Sequence, residues 1–285
     1  MKLGYYPGCS LSGTSHEFGT SMEAVAEPLG IELVELPDWN CCGASSAVTL
    51  DHELAVGLAA RNLAQGEAIA DELFVPCAAC FNRLRTGQKA LQEEPELRER
   101  LDPNERPREA GPRVLNLLHV FDETLGAEAL RERVKRPLAG LKPAAYYGCL
   151  LLRPEKACEA GDVEQPQAME RTLQALGAEP VTWYGKTDCC GAALSATKAE
   201  IVVKLATAIA ERARRAGANC LVTACPLCQM NLESRQRPPA GERLPVFYLT
   251  QVVGIALGLS ARALGLETHL VSPRPLLKSL DLWAA

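Results

Sequence analysis

The chain reads as an α/β protein of two pseudo-symmetric domains, each a small parallel sheet flanked by helices, with candidate ligand residues at the C-terminal strand ends. Three observations carry that reading: a cysteine pattern that occurs twice, self-similarity reaching beyond the cysteines, and short apolar runs alternating with helical periods. The first cysteine copy is Cys9, Cys41-Cys42-Gly43 and Cys77-x-x-Cys80; the second is Cys149, Cys189-Cys190-Gly191 and Cys225-x-x-Cys228. Cys42 to Cys190 and Cys77 to Cys225 are both shifts of 148, so one rule applied twice places ten of the twelve cysteines.

The repeat extends into the flanks. Tyr5-Tyr6-Pro7-Gly8-Cys9 matches Tyr146-Tyr147-Gly148-Cys149, residues 29–34 match 176–181, 73–77 match 221–225, and Val114-Leu115-Asn116-Leu117 echoes Val246-Phe247-Tyr248-Leu249. A period near half the chain indicates a duplicated domain rather than a solenoid. The domains are expected at 1–140 and 141–285.

Taken in order, the first copy predicts a strand at 3–6, a helix at 21–29, a strand at 31–36, a helix at 51–70, a strand at 73–75, and a helix opening at the C-x-x-C. That alternation implies a parallel sheet covered by helices. Each cysteine of the pattern then falls just past the C-terminal end of a strand, where loops converge and the next helix presents its N–H groups. Residues 92–113, charged and proline-bearing, predict a surface excursion, and 131–142 a link to the second half. The most apolar stretch, 246–264, is interrupted by Thr250, Gln251, Ser260 and Arg262. It predicts a core helix rather than a membrane span, with a membrane-surface helix as the alternative.

Composition is that of a globular protein, with 47% apolar and 23% charged residues. A net charge of −5 gives no reason to expect nucleic acid as a partner. Met1-Lys2-Leu3-Gly4-Tyr5-Tyr6 runs straight into the first motif without an apolar export signal, so a cytoplasmic location is expected. In a reducing compartment twelve cysteines point to metal ligands or redox thiols rather than a disulfide framework.

Thiolates bind iron–sulfur clusters or zinc. The two sulfurs of each C-x-x-C lie three apart at a helix start, on one face. The adjacent pairs Cys41-Cys42 and Cys189-Cys190 are more telling, because neighbouring side chains diverge and reach different atoms of a wide cluster more easily than one small ion. Gly43 and Gly191 supply the permissive backbone for that turn. Five thiols per copy exceed the four of a zinc site or an ordinary cubane, so a multi-iron cluster of unusual shape fits each half. Zinc in one half, or thiol chemistry without metal, are the alternatives.

The doubled pattern C-x(31–39)-C-C-G-x(33)-C-x-x-C, the Cys-Cys-Gly-Ala of both copies, Tyr248-Leu249-Thr250-Gln251 and the late His269-Leu270-Val271-Ser272-Pro273 resemble the B-type subunits of heterodisulfide reductase, a cysteine-rich "CCG" protein family. The resemblance implies a noncubane [4Fe–4S] cluster held by Cys9, Cys41, Cys42, Cys77 and Cys80, and a second held by Cys149, Cys189, Cys190, Cys225 and Cys228. One cysteine of each five would bridge two irons. It further implies reductive cleavage of a disulfide, or the reverse thiol oxidation, between the two clusters, each passing one electron and binding one product sulfur. Implied partners are a ferredoxin-like subunit with cubane [4Fe–4S] clusters, a flavin-containing subunit, and a small disulfide or thiol-carrier substrate. The complex would be cytoplasmic or membrane-associated through its other components. The thirty-nine-residue spacing after Cys149 suggests a loop insertion at 154–165.

Two readings compete with a disulfide reductase. One is the electron-transfer subunit of a succinate or fumarate reductase, passing electrons towards quinone. The other is a scaffold with one cluster and one zinc. No G-x-G-x-x-G follows a strand, so electrons must come from partners.

Among the remaining residues, Cys220 is expected to be a buried structural thiol and Cys158 a free loop thiol. His16, His52, His119 and His269 lack zinc-enzyme spacing. Tyr6 and Tyr147 are expected to pack beside the first ligands. Lys186 and Lys198 read as solvated, with contact to an anionic substrate as the alternative.

Overall fold

The structure, a computed structural model, describes residues 1–44, 46–238 and 243–284. In the first half β1 (Lys2–Tyr5), β2 (Glu32–Glu35), β3 (Glu72–Phe74) and β4 (Arg113–Leu115) form a parallel sheet in the order β2-β1-β3-β4. Helices α1 (His16–Ala26), α2 (His52–Ile69) and α3 (Ala78–Glu93) connect the strands. A π-helical segment, His119–Leu125, and α4 (Gly126–Arg133) follow β4. The second half repeats the plan with β5 (Pro143–Tyr146), α5 (Ala168–Ala175), α6 (Ala199–Arg215), β6 (Cys220–Thr223), α7 (Pro226–Arg235), β7 (Val246–Tyr248) and α8 (Leu249–Ala256). Its parallel sheet runs β5-β6-β7. Every residue of these three strands is buried, as parallel strands covered on both faces require.

The second half has no counterpart of β2 among the described residues, and two prolines explain it. Residues 179–183 still run beside β5, with Glu179 N–H donating to Leu141 O at 2.9 Å and Val181 N–H to Pro143 O at 3.0 Å. Pro143 stands where Leu3 stands in the first half and has no N–H to return; Pro180 lacks one too. The indole N–H of Trp183 completes the edge by donating to Ala145 O at 3.1 Å. Extended pairing was legible in the repeat, but the ladder is one-sided.

Each half lays its first long helix on the closing helix of the other, giving a reciprocal interface. Helix α1 packs on α8, while α5 packs on the π-helical segment and α4. At the first contact Phe18 stacks on Tyr248 with ring centroids 4.3 Å apart, and Ser21 and Thr250 hydroxyls hydrogen-bond at 2.7 Å. At the second, Arg171 grips Asp122 through two nitrogens.

One expectation, that for Cys158, needs correction, and three segments gain detail. The 92–113 excursion is strapped to α3: Leu97 and Pro107 are buried, and the Gln88 amide donates to Ala110 O and Pro112 O. The end of the 131–142 link is packed, with Leu138 and Leu141 wholly buried. The 154–165 insertion forms a short helix, Glu155–Cys158, held on α3 by Arg85, whose Nε donates to Ala157 O at 2.7 Å. Cys158 is therefore a buried thiol, 0% exposed, not a free loop thiol. Its position between the insertion and Asn82 (3.4 Å) explains the burial, and that burial raises its pKa to about 11. Cys220 is wholly buried at the start of β6, as expected. Residues 246–264 supply β7 and the wholly buried α8, a core element. Among the described residues no helix is long and apolar enough to cross a membrane.

The interface gives a test of magnitudes. Phe18 is fully buried, so Phe18→Ala should cost about 3–5 kcal/mol in urea unfolding. Arg171 is 56% exposed at its side chain, and Arg171→Ala should cost no more than about 1 kcal/mol despite its bidentate geometry.

Candidate metal centres

Each set of five cysteines is assembled by three turns at the C-terminal ends of strands. Cys9 and Cys149 lie in tight turns just after β1 and β5. The adjacent pairs lie in loops, one after β2 and the other after the extended segment that replaces it. Cys77 and Cys225 are the N-cap residues of α3 and α7, directly after β3 and β6, and Cys80 and Cys228 sit in the first turn of those helices.

The sulfurs converge as a chain of neighbours. In the first half Cys9 and Cys41 sulfurs are 3.7 Å apart and Cys42 and Cys80 3.3 Å, and Cys42 and Cys77 each help to raise the pKa of a neighbouring thiol, Cys41 and Cys80 respectively. In the second half Cys190 and Cys228 are 3.4 Å apart, and Cys189 and Cys225 help to raise the thiols of Cys149 and Cys228 respectively. Among the described residues no three His, Cys, Asp or Glu side chains form a ready site for one ion; the thiols spread in pairs instead. Crowding makes them share protons. Hydrogen bonds from Cys41 and Cys80 push Cys42 down to about 3, and the same bonds raise Cys41 and Cys80. Hydrogen bonding from Cys149 lowers Cys189 to about 6 and raises Cys149 in return.

Both copies of the Cys-Cys-Gly turn aim backbone N–H groups at the sulfurs. Gly43 and Gly191 have φ of 72° and 79°, the left-handed region that glycine enters freely. Gly43 and Ala44 donate to Cys41 and Cys42, and Gly191 and Ala192 donate to Cys189 and Cys190. Successive N–H groups around a left-handed residue make an anion-binding concavity, which favours the ionised form of Cys42 in the first copy and of Cys189 and Cys190 in the second.

The donor set and the space around it fit an iron–sulfur cluster. Five soft thiols exceed the four of a zinc site. Cys42, Cys77, Cys80, Cys190, Cys225 and Cys228 are buried, whereas Cys9, Cys41 and Cys189 are exposed and Cys149 half-buried, so each set has a dry floor and an open rim. Thr223 Oγ1, two residues before Cys225, is buried without a hydrogen-bond partner. A Cβ on Gly8 would lie 2.9 Å from Cys80 Sγ, and one on Gly148 3.0 Å from Cys228 Sγ. Both residues have positive φ, 67° and 65°.

The structure reassigns one pair of tyrosines. The ring beside Gly8 is Tyr6 and the ring beside Gly148 is Tyr146. The hydroxyl of Tyr6 donates to Asn40 O at 2.8 Å and that of Tyr146 to Asp188 O at 2.6 Å, so Tyr146 is the counterpart of Tyr6. The extra residue Pro7 had obscured this in the sequence. Tyr147 turns away to bond Glu170, which pairs with Lys186 at 2.6 Å. Lys186 is thus a buried ion-pair member, not a solvated lysine or a substrate contact; Lys198 is exposed. His16 is exposed, whereas His269 is enclosed by Glu233 and Gln251.

Sequence reasoning missed Asn82, Arg83 and Asn231. Asn82 donates to Leu150 O at 3.0 Å and Arg153 O at 2.6 Å, tying the helix that carries Cys80 to the segment after Cys149. Across the same interface Tyr248, whose hydroxyl is 3.3 Å from Glu17 Oε1, stands close enough to Cys225 for that thiol to help raise its pKa, after burial. The segment after each first cysteine therefore braces the other half's site. Helix register was the available signal, since Arg83 and Asn231 lie one turn beyond Cys80 and Cys228.

The paired glycines give a test. Gly148→Ala should remove about half the iron from anaerobically purified protein, and Gly8→Ala the other half, because each forces a Cβ onto a sulfur at a left-handed position. Cys158→Ala should leave iron content unchanged. Iron assay of the three variants decides.

Comparison with known proteins agrees with this architecture. The family model of the CCG cysteine-rich domain matches twice, at residues 3–85 and 144–233. The chain is 34% identical over 277 residues to the 8-methylmenaquinol:fumarate reductase membrane anchor subunit of Wolinella succinogenes, covering 95% of this chain and 97% of that one. It is 28% identical to the B-type subunit of the ferredoxin/F420H2-dependent CoB-CoM heterodisulfide reductase of Methanosarcina acetivorans, covering 95% and 94%. A protein of Archaeoglobus profundus named for its likeness to the same heterodisulfide reductase subunit is 29% identical, covering 90% and 91%. The crystal structure of a hypothetical protein from Helicobacter pylori shares the fold, with a TM-score of 0.75 at 15% identity; it covers 95% of this chain, which spans 52% of that one. With the domain matched over both halves and near-full-length relatives named as B-type heterodisulfide reductase subunits, the chain belongs to the CCG cysteine-rich family.

Proposed function

We propose that the chain is the iron–sulfur subunit of a multi-subunit reductase that acts directly on sulfur. Cys9, Cys41, Cys42, Cys77 and Cys80 would hold one noncubane [4Fe–4S] cluster, and Cys149, Cys189, Cys190, Cys225 and Cys228 the other. When bound, the two clusters would supply one electron each to a disulfide, so that RSSR′, two electrons and two protons give RSH and R′SH. The chain's own work is to hold and shape. Buried cysteines and backbone N–H groups fix the floor of each site, while exposed Cys9, Cys41 and Cys189 leave a rim open to a small disulfide or thiol. Electrons would arrive from partner proteins of the ferredoxin-like and flavin-bearing kinds.

The observation that carries this reading is the reciprocal bracing of the two sites. Asn82 on the helix that carries Cys80 holds the segment following Cys149, and Tyr248, whose hydroxyl is 3.4 Å from Gln229 on the helix that carries Cys228, meets Glu17 on the segment following Cys9. Two like centres flanking one interface suit a substrate that must break into two like halves.

A second reading, transfer of electrons between a quinol and a fumarate-type reductase, is favoured by the 34% relative named for 8-methylmenaquinol and fumarate. The two differ in what perturbs the centres. Disulfide chemistry predicts about eight irons per chain, no zinc, and an EPR signal during oxidation that changes with a small thiol or disulfide. Quinol-linked relay predicts the same iron with signals insensitive to thiol, and reoxidation by a menaquinone analogue. About four irons with one zinc would sink both two-cluster readings.

A further inference from the structure

The two centres are alike in sulfur but not in charge, and the difference lies at positions that the duplication makes equivalent. One turn beyond Cys80 stands Arg83; one turn beyond Cys228 stands Asn231. Before Cys41 stands Asn40; before Cys189 stands Asp188. The equivalence of the second pair is structural, since Tyr6 and Tyr146 donate to the carbonyls of Asn40 and Asp188. The first half thus carries one extra positive charge at one position and the second half one extra negative charge at the other.

Both members of the first pair are held in place. Arg83 is half-buried and donates to Asn82 Oδ1, and the Asn82 amide is itself anchored on Leu150 O and Arg153 O. Among the described residues Arg83 has no carboxylate partner; burial lowers its pKa, and the sulfurs of Cys42 and Cys158 act against that. Asn231 is wholly buried, its Oδ1 3.0 Å from the Ser195 hydroxyl, which leaves Nδ2 facing Cys190 O at 3.4 Å and Cys190 Sγ at 3.7 Å. One half carries a guanidinium one turn beyond Cys80, its charge felt by the buried Cys42 sulfur, and the other a neutral amide at the equivalent turn. Asp188 is paired with Arg212 at a half-exposed position, so its charge is partly offset and Arg83 is the larger cause of the asymmetry.

We propose that Arg83, aided by the exchange of Asn40 for Asp188, makes the centre in the first half the more oxidising of the two, so that it is reduced before the centre in the second half. The proposal rests on the two-cluster reading above. Reduction adds one electron and one unit of negative charge to a centre. A nearby cation favours the reduced form and a nearby anion opposes it, with more force where water is excluded. Arg83 is a positioning residue of the electrostatic kind: it binds nothing in the reaction and sets the order of two one-electron steps.

The experiment is a potentiometric EPR titration of the anaerobically purified holoprotein with dithionite as electron donor, comparing the parent with Arg83→Gln, Arg83→Lys and Asp188→Asn. The parent should show two resolved midpoints. Arg83→Gln should lower the upper midpoint by at least about a tenfold change in the reduced-to-oxidised ratio, ~59 mV for a one-electron couple, and leave the lower one in place. Arg83→Lys should restore most of that shift, which a purely structural arginine would not. Asp188→Asn should raise only the lower midpoint, by a smaller amount. Coincident midpoints in the parent, or an Arg83→Gln protein with full iron and unmoved midpoints, overturn the proposal while leaving the two-cluster reading intact. A parent protein lacking about eight irons would remove that reading and the proposal with it.

Discussion

Cysteine sulfurs crowded at the C-terminal ends of the strands, with Cys9 and Cys41 3.7 Å apart, Cys42 and Cys80 3.3 Å and Cys190 and Cys228 3.4 Å, are the constraint from which most other features of each half follow. Thiols so crowded cannot all ionise, and thiols so buried cannot all be solvated, so the fold must supply positive potential at the point of convergence. It does so with backbone: N–H groups of the left-handed Cys-Cys-Gly turn and the first turns of α3 and α7. A parallel sheet suits the task because its strands all end at one side, where three separate turns can be brought to one point. The glycines before Cys9 and Cys149 belong to the same economy of space, since only a residue without Cβ lets the turn pass so near a sulfur.

Duplication then solves a second problem, that of covering each site. The helix after each first cysteine lies on the other half's closing helix, with Phe18 against Tyr248 on one side and Arg171 against Asp122 on the other. Stacked rings carry one contact and an ion pair the other, so the interface is symmetric in plan and unequal in strength. The 154–165 insertion breaks the symmetry further, adding Cys158 and the Arg85 anchor on the second half's side.

The sheet and its parallel sense were legible because they depend on periodicity and spacing, which the duplication prints twice, and the sulfur pairs that meet, Cys9 with Cys41, Cys42 with Cys80 and Cys190 with Cys228, all belong to the repeated pattern. What stayed hidden depends on side chains meeting across large sequence separations. Cys158 looked like a loop thiol because nothing local shows that Asn82 waits for it on α3. Tyr147 was matched to Tyr6 by counting back from cysteine, and Pro7 shifted the true partner to Tyr146. Lys186 looked solvated because Glu170, sixteen residues earlier, gives no local sign of pairing with it. The loss of the outer strand in the second half was readable in principle from Pro143 and Pro180, which remove hydrogen-bond donors on both sides of the same ladder.

The bracing of Asn82 by Leu150 and Arg153 sets a timetable for maturation. While the chain emerges from the ribosome, N-terminal segments fold first, and all five thiols of the first centre are available once residue 80 has been made. The helix that carries Cys80 nevertheless lacks its outer support until the segment after Cys149 arrives, and the second centre lacks the closing strand β7 until residue 248. Neither centre is fully enclosed on a nascent half-chain. On the two-cluster reading, machinery that delivers iron and sulfide would therefore meet a finished or nearly finished polypeptide, and truncation within the second half would open both candidate sites rather than one.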